Sequence, residues 1–309
     1  MRQYRRNTVK EVYTLPDLEK WKATTKSPIR LAVIGDPVAH SLSPEMQNAA
    51  LENCGLPMRY ARFQIAADEL PAALKLLTEL NFVGVNLTVP HKIAALKLIT
   101  EVDETARQAG AVNTIKIDDG KLCGFNTDGK GFSRAIREEF SVDLRDLRVL
   151  VLGAGGAGRA IALECAKENS ERLVLANRDF EKAKQLADEL RAFFAEARVL
   201  GPVPRLQTIP WDEAAFRFQI ANVDLVVNAT PVGLHHADAA PISARLLAPH
   251  LMVYDTVYSS RQTALISAAL EAGARAADGL SMLLYQGALA FEIWFDRAAP
   301  LAVMRKALL

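Results

Sequence analysis

Four short stretches gather polar side chains in a chain half of whose residues are hydrophobic: HSLSP (residues 40–44), NLTVPHK (86–92), GAVNTI (110–115) and GFNTDG (124–129). Together they supply hydroxyls from Ser41, Ser43 and Thr88, amides from Asn86, Asn113 and Asn126, the amine of Lys92 and the carboxylate of Asp128. A polyhydroxylated small molecule suits that inventory, because each ligand hydroxyl taken out of water needs a hydrogen-bonding partner. Plainer readings stand beside this one. Ser43 before Pro44 is a good helix N-cap followed by a first-turn proline. Asp128 in NTDG suits turn and cap chemistry, and Lys92 can simply point into water. Ser41 has no such alternative and is better placed as a ligand donor.

A second constellation is VLVLGAGGAGRAIA, residues 149–162, in which Gly153, Gly155 and Gly158 satisfy GxGxxG between a strand and a helix. In that context the loop Gly153, Ala154, Gly155, Gly156, Ala157, Gly158 is a dinucleotide cradle: a tight turn, a close backbone approach to pyrophosphate, and close packing of helix on sheet. The next strand ends in Asn177 and Arg178, with Lys182 one turn into the following helix. An arginine fork and a lysine charge favour the 2′-phosphate of NADP. Asp179 leaves NAD open, since it can accept ribose hydroxyls, and it is also an ordinary N-cap for the helix from Phe180.

These residues need a frame to hold them. From Arg30 the chain alternates strand and helix: RLAVIG, SPEMQNAALENCG closed by Gly55, RYARFQI, ELPAALKLLTEL, then FVGVNLT. The last reads as a half-buried strand from the alternation of Val83, Val85 and Leu87, stopped by Pro90. KIAALKLITEVDETARQAG carries helical periodicity, and AVNTIKI and KLCGFN flank a hairpin signal at Asp118-Asp119-Gly120. A second βαβ series runs DLRVLVLG, GRAIALECAKEN, RLVLANR, FEKAKQLADELRAFF, DLVVNAT, LMVYDTVY and TALISAALEAG. Alternating βαβ units with continuous apolar strands predict an α/β fold with parallel sheets covered on both faces. SMLLYQGALAFEIWFDRAA predicts a long apolar helix in which Gln286 is the polar exception.

Bulk properties narrow the function. A chain of 309 residues leads us to expect two domains. With 37 basic and 36 acidic residues, net charge +1, nothing suggests nucleic acid or an anionic membrane as partner. No apolar run has the length of a membrane span. The three cysteines, Cys54, Cys123 and Cys165, lack CxxC spacing and point to a reducing compartment, the cytoplasm. No metal is expected: the pair His235-His236 has no cysteine or acid cluster at ligand spacing. The first residues lack a signal-peptide core. Glu11, Asp17 and Glu19 argue against a targeting arm, so residues 1–29 read as a loosely attached extension.

Taken in order, HSLSP, NLTVPHK, AGAVNTI, GFNTDG, VLGAGGAG, NATPVG, YDTVY and GLSMLLYQGALAFEIW resemble the shikimate dehydrogenase family over roughly residues 30 to 298. The resemblance implies an NADP-dependent reduction of 3-dehydroshikimate to shikimate, a step of aromatic amino-acid biosynthesis. It implies a substrate domain at 30–127, a Rossmann-like domain at 128–278, and terminal helices at 279–309 returning to the substrate domain. It places the catalytic pair on Lys92 and Asp128. Substrate contacts would come from Ser41, Ser43, Asn86, Thr88, Asn113, Tyr258 and Gln286. The cofactor would be held by the glycine loop, Asn177, Arg178, Asp179 and Lys182, with Ala229, Thr230, Gly279 and Met282 near the nicotinamide. Asp179 stands where NADP-specific members commonly carry threonine, and dual-specificity members use an acid nearby. YDTVYSSRQTALI also lacks the family's Asn-Pro after the tyrosine. The rival readings are a quinate/shikimate dehydrogenase that also takes NAD, and a non-catalytic ligand sensor. The expected assembly is a monomer or homodimer.

Overall fold

The computed structural model describes residues 10–24, 27–194, 204–235, 237–259 and 261–309. Residues 1–9 of the basic arm and His236 of the histidine pair lie outside the described residues. The described residues form two compact units: one of residues up to Asp103, Val112–Phe125 and Ala290–Leu309, the other of Glu104–Ala111 and Asn126–Leu289.

In chain order the first unit begins with α1 (Leu15–Thr24), β1 (Ile29–Gly35), α2 (Ser43–Asn53), β2 (Arg59–Gln64), α3 (Leu70–Glu79), β3 (Gly84–Leu87), α4 (His91–Ala94) and β4 (Glu101–Val102). After α5 (Glu104–Ala109), which groups with the second unit, come β5 (Thr114–Asp118) and β6 (Lys121–Phe125). The sheet order is β2-β1-β3-β5-β6-β4. β1 pairs in parallel with β2 and β3, while β5 runs antiparallel to β3 and β6. The β5–β6 hairpin turns at Asp119 and Gly120, both at positive φ (46° and 76°), as the Asp-Gly signal requires.

The second unit holds α6 (Asp128–Phe140), β7 (Arg148–Leu152), α7 (Gly156–Lys167), β8 (Arg172–Ala176), α8 (Phe180–Leu190), β9 (Leu206–Ile209), α9 (Glu213–Ile220), β10 (Leu225–Asn228), β11 (Met252–Asp255), α10 (Ala264–Glu271) and β12 (Arg275–Ala277). α11 (Leu280–Phe295) and α12 (Leu301–Lys306) complete the chain. Here the order is β12-β11-β10-β7-β8-β9, all parallel. The strands are continuously apolar because both faces are covered. Val149, Val151, Leu173, Leu175 and Val227 enter one core; Leu150, Leu152, Val174, Ala176 and Val226 enter another.

Three expectations fail. The extension is not loosely attached over residues 10–24. Tyr13 bridges Phe63 of β2, stacks on its ring at 5.4 Å and meets Trp21 edge-on at 5.0 Å, and Leu18 of α1 is wholly buried. The helical reading of 92–110 breaks into α4, a 3₁₀ turn (Ala95–Lys97), β4 and α5, because Glu101 and Val102 pair with Cys123 and Gly124 of β6. β3 is not half-buried: all four residues, Asn86 included, are buried.

Candidate active site

β3 ends within the first unit's polar cluster, and its neighbours explain how a buried amide is tolerated. The Asn86 carbonyl accepts from Tyr60 Oη at 2.8 Å, and its Nδ2 donates to Thr114 Oγ1 at 3.0 Å and to the Asn113 carbonyl at 3.3 Å. Thr114 Oγ1 in turn donates to Asn113 Oδ1 at 3.0 Å. Asn86 and Thr114 are register partners across the β3–β5 ladder, so the sheet itself sets this network.

The chain then turns into α4, with the Thr88 N–H on the Ile34 carbonyl and the His91 N–H on the Thr88 carbonyl (both 2.9 Å). His91 is fully buried and its Nε2–H donates to the Ile65 carbonyl at 2.9 Å. The Lys92 carbonyl accepts from the Val112 N–H at 2.8 Å, and its side chain is half-buried. α4 has only four residues, a single helical turn.

Neither serine caps α2. Leu42, not Ser43, stands at the N-cap of α2, and no side chain caps that helix. Ser41 Oγ accepts from the Ser43 N–H at 3.3 Å, while the Arg62 guanidinium donates to the Ser41 carbonyl at 2.9 Å. Both serines are buried.

In the second unit the cap reading of Asp128 does not hold either. Thr127 is the N-cap of α6, and the Asp128 N–H is taken by Asn126 Oδ1 at 3.0 Å. Asn126, anchored on the Ala111 carbonyl at 2.8 Å, does the turn chemistry, and Asp128 is a buried carboxylate in the first turn. Gln286, on α11, donates to the Leu283 carbonyl at 2.9 Å, and Gly131 of α6 lies against its backbone, where a Cβ would stand 2.9 Å from the Gln286 nitrogen.

The glycine loop fits a dinucleotide. Gly153 has φ +107°, and a Cβ on Gly158 would collide with the Gly153 carbonyl oxygen. Nothing lies within 4 Å of a Cβ built at Gly155, so the helix N-terminus at Gly156 and Ala157 faces open space where a pyrophosphate can sit. Asn177 Oδ1 accepts from the Ala154 N–H at 3.0 Å, so this side chain braces the loop. Arg178, Asp179 and Lys182 are exposed at the end of β8, the position from which dinucleotide-binding folds in general read the ribose. Asp179 holds the N-cap position of α8 without making a capping bond, and lies 3.6 Å from Lys182 Nζ.

At the same edge of this sheet, Ala229 and Thr230 follow β10 and Tyr258 follows β11. The Gly279 N–H donates to the Val257 carbonyl at 3.3 Å, and the buried Met282 N–H donates to Tyr254 Oη at 3.2 Å. Sequence reasoning passes over Tyr60, His91, Thr114, Asn228 and Asp255. The last two carried a signal, being polar residues that close otherwise apolar strands. Among the described residues no group of three or more His, Cys, Asp or Glu side chains is arranged to hold a metal, and no helix is long and apolar enough to cross a membrane.

Comparison with known proteins gives this geometry a lineage. Residues 33–115 match the shikimate dehydrogenase substrate binding domain, 134–206 the shikimate/quinate 5-dehydrogenase model and 279–309 the shikimate 5′-dehydrogenase C-terminal domain. The shikimate dehydrogenase (NADP(+)) of Methanopyrus kandleri is 42% identical over 282 residues, 90% of this chain and 94% of its own. The chain belongs to the shikimate dehydrogenase family. Among solved members, the Thermus thermophilus shikimate 5-dehydrogenase in complex with NADP(H) and shikimate is 37% identical, with TM-score 0.78 over 91% of this chain and 98% of its own. The quinate dehydrogenase of Corynebacterium glutamicum in complex with NAD is 30% identical, with TM-score 0.77 over 91% and 99%. The expected α/β fold, with a substrate-binding part and a Rossmann-like part, is the fold of this family.

Proposed function

We propose that this chain catalyses the reversible NADPH-dependent reduction of 3-dehydroshikimate to shikimate in aromatic amino-acid biosynthesis, with Lys92 as general acid–base and Asp128 as its partner. The relationship to NADP-dependent shikimate dehydrogenases over nine-tenths of the chain carries the reaction. NADPH, when bound, supplies the hydride to the ketone carbon.

The remaining work falls to side chains. Lys92 gives its proton to the oxygen on which negative charge develops, and takes it back in the oxidative direction. Asp128 orients the ammonium and one substrate hydroxyl. Ser41, Ser43, Thr88, Asn113, Tyr258 and Gln286 offer hydrogen bonds to the ring hydroxyls and carboxylate. Asn86, whose amide is already engaged on Tyr60, Asn113 and Thr114, adds its remaining carbonyl lone pair. Arg178 and Lys182 take the 2′-phosphate. The cytoplasm, as a reducing compartment, is in keeping with three free cysteines.

Dual use of NAD and of quinate is the second reading, favoured by Asp179 beside Arg178. Steady-state rates with NADP and NAD, each against shikimate and quinate, test both. Fast turnover with NADP and shikimate alone supports the first; comparable rates with NAD and quinate support the second. Shikimate binding without turnover in any of the four would leave a ligand sensor.

A further inference from the structure

Asn228 and Asp255 close adjacent strands, β10 and β11, as register partners, and both are wholly buried. Asn228 Nδ2 donates to Asp255 Oδ1 at 2.8 Å and to the Val232 carbonyl at 3.0 Å. Its Oδ1 accepts from the Thr230 N–H at 3.1 Å and from Thr230 Oγ1 at 2.7 Å. Asp255 Oδ1 also accepts from the Val257 N–H at 3.1 Å, and Oδ2 from Thr263 Oγ1 at 2.6 Å. Thr263 is at the same time the N-cap of α10, accepting from the Ile266 N–H at 3.3 Å. One amide and one carboxylate thus bind three segments: 229–232, 256–258 and the start of α10.

A wholly buried carboxylate with only neutral donors around it is a costly way to close a strand. Burial pushes Asp255 up to about 6 despite those three donors. An apolar pair would serve the sheet alone as well or better. The polar pair does something an apolar pair cannot, which is to fix the backbone of both loops in one arrangement.

We propose that Asn228 and Asp255 are a positioning pair that holds the nicotinamide-side platform formed by Ala229, Thr230, Val257 and Tyr258. The pair touches neither substrate nor cofactor and acts through the loops it ties together. This rests on the reading that the edge of β10 and β11 takes the nicotinamide end of NADP.

Calorimetric titration with two probes tests it. NADP+ spans the whole site, whereas 2′,5′-ADP carries the adenosine 2′-phosphate and no nicotinamide. In Asp255→Asn an amide N–H faces the Val257 N–H or the Thr263 hydroxyl in place of an acceptor. The expected result is an NADP+ Kd raised about tenfold and a lowered kcat, with the 2′,5′-ADP Kd within about twofold of wild type. Thr263→Val removes one donor partner of the carboxylate, and should give the same split at smaller size if Asp255→Asn does not fold. Equal weakening of both probes, or of neither, would overturn the positioning role. Wild-type protein that binds neither probe would instead overturn the cofactor reading, and this inference with it.

Discussion

Tyr60, on β2, donates its hydroxyl to the side-chain carbonyl of Asn86, on β3, across the intervening strand β1 at 2.8 Å. Asn86 is thereby a joint of the sheet as well as a candidate ligand residue, because its amide hydrogens are also taken within the protein. Removing one partner of a buried hydrogen bond leaves the other desolvated and unpaired. Tyr60→Phe should therefore destabilise the protein by about 1–3 kcal/mol and raise the KM for shikimate. Denaturant melts and initial rates read the two effects. An unchanged melt would mean that the bond is replaced by water.

His91 sets up a pH dependence of stability. Burial holds its imidazole below the ordinary histidine value, against the pull of the Ile65 carbonyl and of Asp36. Nδ1 is buried without a hydrogen-bond partner, so protonation would create an unsatisfied donor. The unfolded chain therefore binds this proton more tightly. The contribution is complete above about pH 6.5 and is lost as pH falls from there through the folded value. Urea midpoints of wild type should drop between about pH 7 and 5 by more than those of His91→Gln, which keeps a donor toward Ile65. Parallel curves would remove His91 as the source.

Much of this was legible in residues whose local chemistry and tertiary role agree. The strand–turn–helix at Gly153 was readable because the steric demand of that turn is met by glycine alone. The Asp119-Gly120 hairpin was readable for the same reason. What escaped depended on partners far along the chain. Nothing in the periodicity of 92–110 announces that Glu101 and Val102 pair with β6. Burial of α1 did have a cue, in Leu18 and Trp21 one turn apart, obscured by the charged residues around them. In the candidate site, residue types pointed to Ser41, Ser43 and Asp128, but backbone geometry, which puts Leu42 and Thr127 at the N-caps, decided that none of them caps a helix. Asn228 and Asp255 carried a signal as polar residues closing apolar strands, but one that is ambiguous, because a single polar residue at a strand end usually meets water.

Arg178 is exposed beside the glycine loop, and its proposed role is electrostatic. Charge-assisted hydrogen bonds contribute about 1.5–3 kcal/mol, less where water screens them. Arg178→Ala should raise the KM for NADP about tenfold and leave the KM for NAD nearly unchanged, shifting cofactor preference without touching kcat. Equal effects on the two cofactors would mean that Arg178 supports the loop and does not read the 2′-phosphate.

Lys92 and Asp128 stand on different compact units, and the proposed chemistry makes them one functional group. A proton donor at this position has to be oriented toward the reacting oxygen. Lys92→Ala should lower kcat by about two to four powers of ten while the Kd for shikimate, from equilibrium titration, changes little. Asp128→Asn should lower kcat as well. The double variant separates a shared step from two independent ones. Groups that act as a unit lose most of their effect when the first is removed, so the second substitution should add far less than its effect alone. Fully additive losses would assign Asp128 a task other than serving the Lys92 proton transfer.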